Sequence, residues 1–361
     1  MNKYKICVYA ICKNEEKFVD RWMDAVSEAD MVVVLDTGSD DSSMEKLRSR
    51  GALVYSDKIS PWRFDAARNM AMDHIPEDVD ICVSNDLDEV FEKGWRSKLE
   101  AAWQPNHTRA RYMFVWNHGD DGSLSKQFAM EKIHRRHGFR WVHPVHEVLA
   151  YNGKEPDTTV WVPGLVLNHR PDPSKPRSQY LPLLELSVRE NPEDDRAAFW
   201  LGREYMYYRM HDQCIEALEQ YLTMPSAVWG EERSAAMRFI ASSFQDKGDD
   251  MSAKKWLFRA IAECPSVREP YLQMARLGYM QADWPLVMFM VEEALKITQK
   301  SGSYLFEPET WGYPLYDLGA IACYRLDLFA KSCDYAREAC RLAPDDRRLQ
   351  KNLELIEMKI K

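Results

Sequence analysis

Short apolar runs separated by polar loops open the chain, and near residue 171 they give way to long stretches with helical spacing. Residues 4–11 (YKICVYAI), 31–35 (MVVVL), 52–55 and 80–85 are rich in β-branched and aromatic residues and read as four buried strands. Helical patterns lie between them. Phe18, Trp22 and Val26 recur every four residues, with Asn14 placed as an N-cap before them. Ser42 and Glu45 have capping-box spacing, and residues 62–69 open a third helix running through Met72. This β-α-β-α-β-α-β order implies a parallel sheet with right-handed crossovers. Residues 109–116 and 139–142 read as further strands, with a hairpin turn at 117–122. Residues 160–168 form a last strand, ending in His169-Arg170-Pro171. The proline-dense stretch 171–176 reads as a stiff linker, which puts one domain at 1–175 and a second at 176–361.

The second half repeats. Gly202, Ala241, Ala275 and Ala320 occupy one recurring small position, at intervals of 39, 34 and 45. Tyr221, Ala260, Ala294 and Ala339 follow, each nineteen residues later. Small residues at fixed places let paired helices cross closely. With Trp200-Leu201-Gly202 and Tyr205, the pattern resembles tetratricopeptide arrays, whose period equals the middle interval. The longer intervals accommodate insertions near 224–232 and 301–312. The second carries Tyr304, Leu305, Phe306 and Trp311, aromatic enough to suggest a contact site. Residues 345–360 read as a capping helix.

Bulk composition narrows the functional classes. The chain has 361 residues, 45% hydrophobic and 29% charged, as ordinary globular proteins are. A net charge of −9 argues against broad nucleic-acid binding. The 8 cysteines include no C-x-x-C pair, and a reducing, cytoplasmic setting fits them. No secretory signal or membrane-spanning run is expected.

Candidate chemistry gathers at strand ends. After 81–85 come Asp86-Leu87-Asp88-Glu89. Two Asp side chains at i, i+2 on an extended exit can approach one hard cation, and such ions accompany phosphates. Asp78-Val79-Asp80 has the same spacing but enters the strand from its other end, as a solvated turn. Polar loops with Asn14 and Glu16 and with Asp36 and Gly38, and the helix opening with Asp65 and Arg68, follow or precede the other strands. Singly, each is a cap, a turn or an ion-pair partner. Jointly they suit a nucleoside diphosphate in the crevice beyond the strand ends. His134, His137, His143 and His146 are close in sequence, but their spacing and adjacent arginines disfavour zinc.

The ordered set K-N-E-E, D-T-G-S-D-D-S, F-D-A-A-R-N and D-L-D-E resembles the family 2 glycosyltransferases of the GT-A fold over roughly the first 95 residues. The resemblance implies a Rossmann-like α/β domain that binds a UDP-sugar with Mg2+ or Mn2+. It implies that Asp36 contacts uracil or ribose, that Arg68 approaches the diphosphate, and that Asn14, Glu16, Gly38, Asp65 and Asp86 line the nucleotide. Asp86 and Asp88 would be the metal pair, with His169 a later metal ligand. For an inverting transfer the base would be Glu147 or, in competition, Glu89. Glu147 could equally pair with Arg135, Arg136 or Arg140. No Q-x-x-R-W motif follows, which argues against a processive synthase. In architecture the chain is similar to bacteriocin peptide glycosyltransferases. The acceptor stays open among a peptide or protein, a glycan and a modified nucleobase, the last supported only by the basic stretch 134–140. The helical half is expected to bind the acceptor or form a homodimer. The alternative is a non-catalytic repeat scaffold with a nucleotide-binding head.

Overall fold

A computed structural model describes residues 3–118, 124–172 and 180–360. The first part contains strands β1 (Ile6–Cys12), β2 (Met31–Asp36), β3 (Leu53–Ser56), β4 (Ile81–Ser84), β5 (Glu89–Phe91), β6 (Arg109–His118), β7 (Leu124–Arg135), β8 (Phe139–Val142), β9 (Val148–Tyr151) and β10 (Thr159–His169). Helices α1 (Val19–Ala25), α2 (Ser43–Ser49), α3 (Phe64–Asp73) and α4 (Trp95–Ala102) lie between them, and α5 (Tyr180–Glu190) follows. Contacts divide the chain into two compact units between Ser187 and Val188, within α5. The expected linker at 171–176 falls mostly outside the described residues, as do 119–122 of the expected hairpin turn.

Eight strands form one sheet in the order β3-β2-β1-β4-β7-β6-β10-β5, and β8 and β9 pair separately. β1 is central. Ile6, Cys7, Val8 and Tyr9 are all fully buried, because both faces of the strand are covered. It pairs in parallel with β2 on one side and β4 on the other. β7 runs antiparallel to both β4 and β6, and β10 is parallel to β6. Hence β1, β2, β4, β6 and β10 all point their carboxyl ends to one edge. The sheet is mostly parallel and curled. The four-residue link 85–88 leads from central β4 to β5, whose partner is the distant β10.

The structure corrects several local expectations. α1 begins after Phe18, and Asn14 adopts φ +55° instead of capping it. Ser42 makes no side-chain capping bond at α2. The strand opposite β6 in its hairpin is β7, not 139–142, which instead pairs with β9. β7 escapes a period-2 reading because its ladder is interrupted. Ala110 faces Ile133 but Tyr112 faces Met130, so Arg111 opposes two residues, Glu131 and Lys132. That is a β-bulge.

The second unit is built of helical hairpins: α6 (Asp195–Tyr207) with α7 (His211–Thr223), α8 (Gly230–Asp246) with α9 (Asp250–Glu263), α10 (Glu269–Met280) with α11 (Trp284–Lys296), and α12 (Pro314–Arg325) with α13 (Phe329–Leu342). The expected small residues all lie in the core; Gly202 is buried, and a Cβ there would fall 2.4 Å from Leu218. Each hairpin turns through three residues whose middle one is left-handed: Arg209, Gly248, Ala282 and Asp327. α14 (Arg347–Ile360) covers the end, burying Leu349 and Ile356.

The aromatic insertion at 301–312 folds onto its own unit. The Tyr304 hydroxyl donates to Glu232, and its ring stacks on Trp200 with centroids 5.4 Å apart. The Arg268 guanidinium lies 3.6 Å from the Trp311 ring, and Arg276 grips Glu309 with two bonds. Tyr304 and Trp311 thereby brace α8 and α10, with part of each side chain left exposed.

Candidate functional site

The loops after β1 and β2 are stitched together. Asn14 N–H donates to Ser39 Oγ at 2.9 Å, and Asp40 N–H donates to Asn14 Oδ1 at 2.8 Å. Glu15 N–H reaches Ser43 Oγ, and Glu16 N–H reaches Asp41. Glu16 also pairs with Lys46 at 2.9 Å. Fully buried Asp36 accepts from the backbone of Gly38 and Ser39 and from the Ser39 hydroxyl. The chain bends there through Gly38 at φ +109°, a conformation only glycine adopts freely.

Helix α3 carries three motif residues with three different tasks. Asp65 binds the Arg63 guanidinium through two bonds of 2.8 and 2.9 Å at the start of its own helix. Asn69 exchanges two hydrogen bonds with the Trp141 backbone, locking α3 to β8. Arg68, 5% exposed, lies between them. Because the lock fixes residues 139–147 beside α3, the Arg68 Nε–H meets Glu147 Oε1. Its two terminal nitrogens bind both oxygens of Asp86, at 2.7 and 2.9 Å. The partner of Glu147 is therefore Arg68, not Arg135, Arg136 or Arg140. Those three reach Glu155, Glu77 and Asp73, and Arg135 and Arg136 also hold backbone carbonyls.

The 85–88 link is held from beneath. Trp22 Nε1–H donates to Asn85 Oδ1, Leu87 sinks into the core, and Glu89 Oε2 accepts the Asp86 N–H. Asp86 and Asp88 remain partly exposed on the other side. Lys132, which the sequence did not single out, completes the cluster. Its Nζ lies 3.1 Å from Asp86 and 2.9 Å from Glu89. The β7 bulge is what aims it there, one step beyond the Val83–Ile133 pair at the end of β4.

Charge and burial set the protonation of this group. Burial favours a neutral Asp86 carboxyl, but Arg68 and Lys132 outweigh it and hold Asp86 well below the usual carboxylate range. Burial pushes Glu89 up, against the pull of Lys132 and with the push of Asp86 and Asp88. Lys132 is desolvated, yet Asp86 and Glu89 raise it above the ordinary lysine value.

Asp88 stands apart from this network. Its Oδ2 lies 3.5 Å from His169 Nε2 at the end of β10. The other ring nitrogen, Nδ1, lies 3.1 Å from the Trp116 carbonyl, which can only accept, so Nδ1 carries the proton. Nε2 thus faces the carboxylate, and although burial lowers the imidazole, Asp88 outweighs it and holds His169 above its ordinary value. Asp80, of the second Asp-x-Asp, binds the Lys5 backbone N–H, and Asp78 binds the Lys5 ammonium, at the opposite edge.

Among the described residues, no three His, Cys, Asp or Glu side chains converge on one point. Asp86, proposed for the metal, has both oxygens engaged by cations. Asp88 and His169 supply one oxygen and one nitrogen. This suits a divalent ion held by few protein ligands and completed by phosphate and water, as Mg2+ and Mn2+ commonly are. His134 is a core residue: Nδ1–H donates to the Arg135 carbonyl, and Nε2 accepts from Tyr9, whose hydroxyl accepts from Trp141.

No protein-family model and no curated protein matches the chain. Solved structures similar to it are helical-repeat proteins. The C-terminal part of a TPR repeat-containing protein from Cytophaga hutchinsonii is 13% identical, over 51% of this chain and 66% of that one, with a TM-score of 0.42. The APC/C hetero-tetramer Cut9–Hcn1 is 14% identical, over 50% of this chain, with a TM-score of 0.39; this chain covers 33% of its length. A thermophilic TPR protein from Thermus thermophilus is 17% identical, over 49% and 89%, at 0.33. Likeness at this level carries nothing about activity. No helix among the described residues is long and apolar enough to cross a membrane.

Proposed function

We propose that the chain transfers a sugar from a UDP-sugar to an acceptor, assisted by Mg2+ or Mn2+. The observation that supports this best is the position of the Asp88–His169 pair and the Arg68 cluster. They lie at the carboxyl edge of a sheet ordered 3-2-1-4, where β4 returns to the opposite side of β1 from β2. Crevices at such switch points hold ligands in open α/β sheets. Asp36 and Asn14 lie across β2 and β1 on the nucleoside side, and Arg68 and Lys132 bring two cations to the diphosphate side. A bound ion would be held by Asp88 and His169 and would neutralise the charge developing on the leaving diphosphate. Glu147 is the better-exposed base candidate, with 11% of its side chain accessible against 4% for Glu89. It takes the acceptor proton only after loosening its bond to Arg68. The acceptor is a peptide, protein or glycan. Internal engagement of Arg135, Arg136 and Arg140 weighs against nucleic acid.

A second reading, a repeat scaffold whose head binds nucleotide without turnover, draws support from the same ion pairs, since Arg68, Asp86 and Glu147 satisfy one another. Release of UDP from a panel of UDP-sugars with Mn2+ and candidate acceptors separates the two. Turnover that disappears in Asp88→Asn supports transfer. UDP binding with no release under any condition supports the scaffold.

A further inference from the structure

We propose that Trp116 is the stacking platform for the pyranose ring of the donor sugar, an inference that rests on the UDP-sugar reading above. Trp116 is the extra residue of a second bulge. Val115 faces Gln127 and Asn117 faces Lys126, so Trp116 has no counterpart across the ladder. Bulges beside functional sites re-aim a side chain and release a backbone group. Both happen here. The released carbonyl takes the His169 Nδ1 proton, and the indole lies against the His169 ring, with centroids 4.6 Å apart and planes at 28°. Yet 44% of this large side chain stays exposed, at the carboxyl edge of β6. Trp161 is equally exposed, but it stands near the start of β10, toward the opposite edge.

Strand order gives the platform its ligand. Along the edge run Asp36 on β2, Asn14 after β1, Asp86 after β4, Lys132 on β7, Trp116 on β6 and His169 on β10. A UDP-sugar is itself linear, with nucleoside, diphosphate and sugar in sequence. With the nucleoside at β2 and β1 and the diphosphate beside Lys132 and Asp88, the hexose falls at β6 and β10. A uracil ring would lie at the other end of this row. One face of a pyranose presents mainly C–H groups, which pack on an indole as other apolar surfaces do. The immediate neighbour of the platform is His169, a member of the pair assigned to the ion on the diphosphate, and the sugar is bonded to that diphosphate.

Calorimetric titration of the full chain in Mn2+ tests this with two ligands, UDP and a UDP-hexose chosen from glucose, galactose and N-acetylglucosamine donors. Trp116→Ala is expected to weaken the UDP-hexose about tenfold while leaving UDP unchanged, and Trp116→Phe to restore most of the loss. Equal weakening of both ligands shows that Trp116 only steadies His169, and overturns the proposal. So does unchanged binding of the hexose donor. Wild-type protein that binds neither nucleotide overturns the donor reading itself and this one with it, a result distinct from the other two.

Discussion

A carboxylate and an imidazole lone pair 3.5 Å apart need something between them, a proton or a divalent ion. Asp88 and Lys132 should therefore fail in opposite ways when replaced. Asp88→Asn is expected to abolish Mn2+-dependent UDP release with little change in unfolding midpoint, because the Asp88 side chain is not part of the cation network. Substantial residual metal-dependent release would place the ion elsewhere. Lys132→Met strands the buried Glu89 carboxylate, while Asp86 keeps its two bonds from Arg68, and a loss of about 3 kcal/mol in stability is expected, measured by urea unfolding. Glu89→Gln in the same chain should recover part of it; no recovery would separate Glu89 from the pair. His134 gives a pH signature. Its burial lowers the imidazole to about 4, against the ordinary 6.5. Between those values the unfolded chain binds a proton that the folded chain refuses. Stability therefore rises with pH through this window and is lost as pH falls, by up to about 3 kcal/mol. Unfolding measured at pH 7.5 and 4.5 should show a steeper acid loss in wild type than in His134→Gln. Matching slopes would mean His134 does not titrate this way.

At the scale of elements, two glycines matter for different reasons. Gly202 lies under Leu218, so Gly202→Ala overpacks α6 against α7 and should cost about 2 kcal/mol. Gly248 has open space around it but φ +81°, so Gly248→Ala should cost only about 1 kcal/mol, from backbone strain alone. Thermal unfolding that ranks the two the other way would contradict this packing. What was legible in the sequence follows the same physics. Unbroken periods were readable: β1, β2, β4, the α6–α13 pairs, and with them the positions of Asp36, Asp86 and Asp88 at strand ends, of Arg68 on α3 and of His169 at the end of β10. Lys132 and Trp116 were not, because each sits on a bulge where the alternation of faces slips by one residue. Asn14 was misread because an N-cap and a loop-to-loop clasp use the same side-chain oxygen.

For the molecule as a whole, charge argues against one acceptor class. With a net charge of −9 and the arginines of the 134–140 stretch tied to internal acids and carbonyls, duplex DNA is expected to migrate unretarded with the protein even at low salt. Salt-sensitive retardation would return nucleobases to the acceptor list. The sparse Asp88–His169 pair has one more consequence. On the proposed reading, an ion held by these two donors among the described residues leaves the rest of its coordination sphere to the nucleotide. Ion and nucleotide are then thermodynamically reciprocal, and whatever factor Mn2+ adds to the apparent affinity for UDP, UDP must add to that for Mn2+.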